Sequence, residues 1–311
     1  MIKVSILIPS YNQVEFVEDA ILSAINQTYE NIEVVVCDDA STDNTWNKIN
    51  NIKCSKLKKY RNIKNIGRVA NYRKLLYELC SGDYAINLDG DDYFLDMNYI
   101  KNAVALIEKN NLDLVFSNQV VGFKNSPKTT HMSLPQILDG NWLFLNFGRN
   151  GIHIPHSTAI YKRSKAIEVG FYSKDISSSD WESLLRYIIN SKIGFIKKPS
   201  VYWRQVRNSE SKSKPISEYL DNIDSLINSV LPYAENFFDK TVLSKWKYNF
   251  IYSRLISIPQ SSLAKNLKMF ILYSCCHLDV VHCLRLISNL KVWAKILLGK
   301  LSVNVWNSRL Y

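Results

Sequence analysis

The chain contains, at residues 84–93, the stretch YAINLDGDDY. Its apolar beginning is typical of a buried strand, and the carboxylates of Asp89, Asp91 and Asp92 follow at once. This much negative charge at a strand end is unstable unless positive charge lies beside it. A divalent cation with hard oxygen ligands, Mg²⁺ or Mn²⁺, would supply that charge and usually carries substrate phosphates. An acidic turn is the alternative, because Asp-Gly is a common turn dipeptide.

Strands and helices alternate on both sides of this stretch. Val4–Ile8 and Ile32–Cys37 are short apolar runs that predict buried strands. Apolar residues at helical spacing over Val14–Ile25, Val69–Leu79 and Ile100–Lys109 predict helices between the strands. This order implies right-handed crossovers and a mainly parallel sheet flanked by helices.

Polar residues follow each of the first strands. Residues 9–12 (PSYN) follow the first strand, and Asp38 and Asp39 follow the second. Ligands bind beyond the carboxyl ends of parallel strands, so we expect one site at this edge of the sheet. The chain has no GxGxxG after its first strand and no GxxxxGK[ST], which argues against a dinucleotide-binding Rossmann site and a P-loop nucleotidase. A phosphate-bearing substrate held through a carboxylate-bound metal remains.

Length and cysteine usage favour a folded cytoplasmic protein. The 311 residues suffice for one large or two modest domains. The N-terminus has no signal-peptide pattern, and the six cysteines include no CxxC pair. We therefore expect reduced thiols. No apolar run reaches the ~18–20 residues that span a bilayer.

The net charge of +11 is concentrated near the C-terminus. Residues 240–311 hold eleven basic side chains and one acid, Asp279, whereas the first 239 residues hold 28 basic and 27 acidic groups. From about Ser217 onward the pattern is helical, so we predict a boundary near residue 215 and a helical basic module over 216–311. The polar segment Asn208–Lys214 precedes it as a predicted loop.

This module predicts association with an anionic membrane surface. Aromatic and aliphatic groups lie at helical spacing among cations, as in an interfacial helix. The groups concerned are Trp246, Tyr248, Phe250 and Tyr252 among Lys245, Lys247 and Arg254, and Trp293, Ile296, Leu297 and Leu301 among Lys291, Lys295 and Lys300. A packed helical cap with solvated lysines is the plainer alternative. Nucleic-acid binding is disfavoured, because no zinc-binding spacing or recognition motif is present.

The order of motifs resembles the family-2 inverting glycosyltransferases with a GT-A fold. The matching segments are VSILIPSYN (4–12), VVVCDDASTDNT (34–45), NIGRVANY (65–72), DYAINLDGDDYF (83–94) and SSDWESLLR (178–186). The resemblance covers roughly residues 1–215. It implies an α/β GT-A domain over 1–215 that moves one sugar from a nucleoside-diphosphate donor, with UDP favoured, to a hydroxyl acceptor.

The resemblance also implies roles for particular residues. Asp89 and Asp91 match the DxD motif, with Asp91 contacting Mn²⁺ or Mg²⁺ and Asp89 acting at the ribose or through a metal-bound water. Asp180 matches the catalytic base, and Glu182 is the second candidate. From the residues alone, Asp180 is equally well explained as a helix cap. The donor nucleotide would contact Pro9, Tyr11, Asp39, Asn65, Arg68 and Asn71, with Asp39 accepting from the uracil imide.

One segment departs from the family pattern. Many members carry Tyr-Arg-x-His after the base, and this chain has Trp203, Arg204, Gln205 and Val206 there. Arg204 is expected to reach the diphosphate, whereas Val206 replaces the histidine. His153 and His156 are candidates for the acceptor side, with a structural role equally open. The chain lacks a QxxRW segment, which argues against a processive synthase.

The resemblance implies a setting as well as a reaction. Stand-alone members commonly act in capsule, O-antigen or similar polysaccharide assembly, on glycan or lipid-linked acceptors. We therefore expect a cytoplasmic enzyme, peripheral on the inner face of the plasma membrane. A non-catalytic nucleotide-sugar-binding or scaffolding protein is the alternative, and retention of Asp91 and Asp180 argues against it.

Overall fold

The computed structural model describes residues 1–123, 126–205 and 215–257. Strands and helices alternate through its first half, as the sequence predicts. The strands are β1 Val4–Ser10, β2 Ile32–Asp38, β3 Leu57–Arg61, β4 Tyr84–Asn87, β5 Tyr93–Phe94, β6 Leu114–Phe123, β7 Ser126–Thr129, β8 Ile137–Asp139, β9 Ile160–Lys162 and β10 Lys192–Arg204. The helices are α1 Val17–Ile25, α2 Thr45–Asn51, α3 Arg68–Lys74, α4 Tyr99–Asn110, α5 Gly140–Asn146, α6 Arg163–Glu168, α7 Ser179–Ile188, α8 Ile216–Ala234 and α9 Lys240–Ser257. A π-helical turn, Leu75–Leu79, continues α3.

These strands form one mixed sheet in the order β3-β2-β1-β4-β9-β6-β10-β5, with β7 on β6 and β8 on β10. The first four strands are parallel, and β6 pairs with β10 in parallel. The short strand β9 runs antiparallel between β4 and β6. The strand pairs with the most paired residues are parallel, which confirms the predicted mainly parallel α/β sheet.

Both faces of the central strands are buried, which explains their continuous apolar runs. Alternate side chains of a strand point to opposite faces. Accordingly, Leu7 of β1 packs in the core beneath α3, α7, α8 and α9, whereas its neighbours Ile6 and Ile8 pack on the other side with α1 and α4.

The helices α8 and α9 pack in the same core as Leu7. Leu226 of α8 and Trp246 of α9 are almost fully buried in it, and Trp246 stacks on Phe144 with ring centroids 4.6 Å apart. The predicted boundary at 215 therefore does not coincide with a break in the packing of the described residues.

The interfacial assignment of two aromatics is corrected by this packing. Trp246 and Phe250 are each 1% exposed, and the indole N–H of Trp246 donates to the Phe144 carbonyl at 3.0 Å. They are core residues because α9 turns this face inward, so neither can enter a membrane. No helix in the described ranges has the length and apolar character needed to cross a bilayer. The predicted second half of the basic module (residues 258–311), the loop at 208–214 and the position of Val206 lie outside those ranges.

Three loops meet at the carboxyl edge of β1, β2 and β4. The backbone N–H of Asp39 donates to the Ser10 carbonyl at 2.8 Å, and that of Gly90 donates to the Pro9 carbonyl at 3.2 Å. A Cβ at position 90 would lie 2.2 Å from the side-chain oxygen of Gln13. A side chain at position 90 would therefore displace Gln13, which donates to Asp91.

Candidate active site

A cleft of about 1020 Å³ opens along this edge of the sheet. It runs from the loops after β1 and β2, past the loop after β4, to α7, α8 and α9. The predicted site residues that line it are Pro9, Tyr11, Asp39, Asn65, Arg68, Asn71, Asp89, Asp91 and Asp180. Residues that are far apart in sequence thus share one cavity.

At one end of the cleft, the buried carboxylate of Asp39 holds the loop that precedes α3. One of its oxygens, Oδ1, accepts from the Asn62 amide at 2.7 Å and from the Ile66 N–H at 3.0 Å. Oδ2 accepts from the Gly67 N–H at 3.0 Å. A carboxylate oxygen accepts about two hydrogen bonds, so Oδ2 keeps capacity for one donor from a ligand.

The other residues at this end differ in their roles. The Asn71 amide donates to the Cys37 carbonyl at 2.9 Å and is almost fully buried, so it shapes the wall of the cleft. The Asn65 side chain accepts from the Gly67 N–H and closes the turn. Arg68 is exposed and donates across the cleft to the Ser177 carbonyl at 2.9 Å.

The three carboxylates after β4 are held separately. The Tyr72 hydroxyl donates to Asp89 Oδ1 at 2.6 Å, and the Gln13 amide donates to Asp91 Oδ1 at 3.2 Å. Asp92 is buried, and its Oδ1 accepts from the Arg204 backbone N–H at 2.9 Å. Asp92 therefore fixes the turn, whereas Asp89 and Asp91 are half-buried in the cleft wall.

This pair has the electrostatics of a cation site. Burial, together with the negative charge of Asp89, raises the pKa of the Asp91 carboxyl to about 6. Within the described residues, no group of three or more His, Cys, Asp or Glu side chains is arranged to hold a metal ion. Mg²⁺ in particular is usually held by one or two carboxylates, waters and substrate phosphates. The residues present fit a divalent ion of that kind.

Asp180 lies in the first turn of α7 and faces the cleft. Among the described residues, none donates a hydrogen bond to its carboxylate, so the helix-cap explanation has no contact to support it. Glu182 is different, because it is fully buried and accepts from Arg186 at 2.7 Å and from Ser229 at 2.6 Å. Glu182 joins α7 to α8 and does not line the cleft, so of these two carboxylates only Asp180 faces it.

The structure does not bring Arg204 to the cleft. Its guanidinium donates to Asp19 of α1 at 3.0 Å and lies over the Phe16 ring, 4.6 Å from the centroid. The side chain is held there by this ion pair and the aromatic contact. That Arg204 reaches a diphosphate therefore stays a prediction, while its backbone N–H holds Asp92.

Sequence reasoning missed two residues that hold the acidic pair, Tyr72 and Gln13. Burial, followed by the charge of Asp89, raises the pKa of the Tyr72 phenol well above its usual value, so the phenol remains a donor. The segment NIGRVANY already contains Tyr72, but only the fold shows which way it points. Gln13 carries no sequence signal of its own.

The two candidate histidines also line the cleft. His156 hydrogen bonds through Nε2 with the Tyr172 hydroxyl at 2.8 Å, and its ring packs edge-on against Tyr72 at 5.5 Å. His153 bonds through Nδ1 with the Gly151 carbonyl, and burial lowers its pKa. Both histidines thus have structural partners while facing the cavity.

Comparison with known sequences gives a consistent result. The sequence profile of a family described as Glycosyl transferase family 2 matches residues 5–170. The chain is 36% identical over 118 residues to the Escherichia coli UDP-Glc:alpha-D-GlcNAc-diphosphoundecaprenol beta-1,3-glucosyltransferase WfaP, covering 38% of this chain and 46% of that protein. It is 32% identical over 145 residues to the corresponding E. coli enzyme WfgD, covering 47% and 56%. The chain spans about half the length of these curated relatives.

Solved structures share the fold. The crystal structure of S. aureus TarS 1-349 has a TM-score of 0.65 and 16% identity, covering 94% of this chain and 83% of that chain. Its complex with UDP-GlcNAc has a TM-score of 0.61 and 16% identity, covering 85% of each chain. At this identity the likeness shows the fold alone, and it confirms the predicted GT-A class.

Proposed function

The chain belongs to glycosyl transferase family 2, and on that premise we propose that it moves one sugar from a UDP-linked donor to a hydroxyl of a lipid-linked or growing glycan, with inversion. The observation that carries this proposal is the single cleft that joins Asp39, the Asp89–Asp91 pair and Asp180. The transfer needs three neighbouring sites in this order: one for the nucleotide base, one for the diphosphate and one for the acceptor hydroxyl.

Asp39 is proposed to receive the base of the donor nucleotide. The free capacity of its Oδ2 suits one N–H donor, and the uracil imide offers one. The exposed ring of Tyr11 and the loop at Asn65 flank this end of the cleft. The names of WfaP and WfgD, which specify UDP-Glc, support the choice of nucleotide.

Asp91 and Asp89 are proposed to hold Mn²⁺ or Mg²⁺ with the donor diphosphate. When bound, such an ion supplies positive charge to the diphosphate leaving group. The chain would contribute the two carboxylates, which Tyr72 and Gln13 keep in place, and the diphosphate would supply further oxygen ligands. A third protein ligand is not required.

Asp180 is proposed to act as the catalytic base. The acceptor oxygen attacks the anomeric carbon from the face opposite the diphosphate, its proton passes to the Asp180 carboxylate, and the bond from carbon to diphosphate oxygen breaks. The products are the glycosylated acceptor, UDP and one proton. Asp180 suits this step because its carboxylate faces the cleft and has no hydrogen-bond donor among the described residues.

The acceptor is proposed to enter beyond Asp180. There the cleft is lined by Trp181, Tyr219 and Arg254 from α7, α8 and α9. The printed names of WfaP and WfgD specify a lipid-linked diphosphate sugar as acceptor, and we propose the same class here. We propose accordingly that the enzyme works at the inner face of the plasma membrane, and the basic C-terminal region supports this.

A nucleotide screen tests the proposal. We expect UDP with Mn²⁺ to raise the melting temperature more than GDP or dTDP, because a ligand that binds the folded state alone stabilises it. Asp39→Asn should reduce the stabilisation by UDP, because the imide N–H of the base loses its carboxylate acceptor. Asp175→Asn, which changes an exposed carboxylate outside the cleft, should keep it. Equal stabilisation by GDP, or none by any nucleotide, would reject the assignment of the donor site.

A further inference from the structure

A reciprocal pair of hydrogen bonds joins α8 to the start of α7. The backbone N–H of Ser178 donates to Asn222 Oδ1 at 3.1 Å, and Asn222 Nδ2 donates to Ser178 Oγ at 2.7 Å. Ser178 is the residue that immediately precedes α7, and Asp180 is the second residue of that helix. The contact therefore fixes the backbone two residues before the proposed base.

The Ser178 hydroxyl does not make the hydrogen bond that is usual for a serine at the start of a helix. A serine before a helix usually accepts from a backbone N–H of the first turn, but the Ser178 side chain makes no such bond. It accepts from Asn222 instead. The start of α7 is thus held by another helix, and Asn222 itself lines the cleft.

Further bonds hold the same segment from both walls of the cleft. Arg68 of α3 donates to the carbonyl of Ser177 at 2.9 Å, on the side where the donor nucleotide is proposed to bind. On the other side, Ser229 donates to the buried Glu182 at 2.6 Å. The start of α7, which carries Asp180, is therefore fixed between α3 and α8.

We propose that Asn222 is a positioning residue that sets the Asp180 carboxylate against the acceptor hydroxyl. The inference rests on the proposed function, because it assumes that Asp180 is the base. Proton transfer requires a heavy-atom distance of roughly 2.6–3.2 Å, and a misplacement of about 1 Å can cost on the order of 100-fold in rate. A two-point contact beside the base restricts movement of that size.

The proposal makes α8 part of the catalytic unit. The sequence pattern divides the chain near residue 215, which would put Asn222 in a separable module. The hydrogen bonds place it instead beside the reacting groups, seven residues beyond that boundary.

The test compares variants in steady-state kinetics with UDP-sugar, Mn²⁺ and a lipid-diphosphate sugar acceptor. Asn222→Ala should lower kcat by about 10- to 100-fold, with the KM values and the affinity for UDP changed less than about twofold. Asn228→Ala is the matched control, since Asn228 is an exposed asparagine of the same helix. It should leave kcat unchanged.

Two further variants separate positioning from folding. Asn222→Asp should recover most of kcat, because a carboxylate accepts from both the N–H and the hydroxyl of Ser178. Ser178→Ala should lower kcat in the same direction, and its effect should not add to that of Asn222→Ala, as expected for partners in one contact. These variants carry the test if Asn222→Ala fails to fold.

The outcomes are distinct. Unchanged kcat in Asn222→Ala, additive effects of Asn222→Ala and Ser178→Ala, or no recovery in Asn222→Asp would overturn the positioning role. A raised acceptor KM at unchanged kcat would also overturn it, because Asn222 would then bind the acceptor directly. Absence of turnover in the wild-type enzyme would instead reject the proposed function.

Discussion

At the scale of single residues, the cleft depends on how its carboxylates are held. Asp39, Asp89 and Asp92 each accept a hydrogen bond from a neighbouring loop, helix or strand, respectively. Asp180 accepts none from the described residues. These three carboxylates are therefore held in fixed positions, whereas the carboxylate of Asp180, the proposed base, keeps its lone pairs for a substrate.

Tyr72→Phe tests the support of the acidic pair. The change removes the hydroxyl that donates to Asp89 and keeps the ring contacts with His156 and Tyr172. Since a hydrogen bond to a charged group contributes about 1.5–3 kcal/mol, we expect Mn²⁺-dependent UDP binding to weaken by roughly tenfold or more, measured by titration calorimetry.

The control for this variant is Tyr77→Phe. The Tyr77 hydroxyl donates to the Phe171 carbonyl at 3.2 Å and lies outside the cleft. Binding of UDP should be the same as in the wild type. Equal losses in the two variants would show that Tyr72 acts through general stability and not through Asp89.

At the scale of elements, the sequence predicts some strands and misses others for physical reasons. The runs that became β1, β2 and β4 are predictable because both of their faces are buried. The edge strand β3 has the sequence LKKYR, and lysines that protect an edge remove the apolar signal. In β10 the residues 197–200 (KKPS) interrupt two apolar halves at a register shift, so only pairing with β6 reveals one strand.

The residues of the candidate site likewise divide into those that the sequence predicts and those that it misses. Asp39, Asp89 and Asp91 were predictable because strand ends on one edge must converge. Asn222 and Gln13 were not, because their roles depend on the angle at which one element crosses another. The motif predicts Arg204 at the diphosphate, whereas in the structure its guanidinium pairs with Asp19, which lies 185 positions away in the sequence.

Glu33 in β2 stabilises the fold through its contacts with neighbouring elements, and the pH dependence of the free energy of unfolding should reveal this contribution. It is 4% exposed, and burial raises its pKa, but hydrogen bonds from Lys58, Ser5 and Ser81 outweigh this and lower the pKa from 4.5 to about 2. At ~1.4 kcal/mol per pH unit, this corresponds to roughly 3 kcal/mol. A lowered pKa gives stability that is present above pH 4.5 and is lost as the pH falls towards 2.

Glu33→Gln should therefore lower the free energy of unfolding at pH 7 by roughly 2–3 kcal/mol. Urea unfolding at several pH values measures it, and the difference from the wild type should shrink below pH 4.5. Glu30→Gln, at an exposed glutamate just before β2, should have little effect at any pH. A difference that stays constant from pH 7 to pH 3 would contradict the assignment.

At the scale of the whole molecule, the positive charge is concentrated in one part of the sequence. Residues 240–311 contribute most of the net charge of +11. An enzyme proposed to act on a lipid-linked acceptor would gain from a cationic region that attracts an anionic leaflet, at about 1 kcal/mol per cation near the surface.

Vesicle sedimentation tests this arrangement. The protein should pellet with anionic vesicles at low salt and dissociate at high salt, and it should not pellet with neutral vesicles. Trp246→Phe should bind equally well, because Trp246 is a core residue and does not face the lipid. Failure to pellet with anionic vesicles would reject membrane association and leave the fold and the cleft as described.

The central claim is that one cleft binds UDP at one end and activates an acceptor hydroxyl through Asp180 at the other. Asp180→Asn separates these two functions, since the amide keeps the shape of the side chain but cannot take a proton. We expect transfer to fall by at least about 100-fold, within the usual range for general base catalysis, while the affinity for UDP with Mn²⁺ stays within twofold. Asp180→Asn with wild-type turnover would contradict the account.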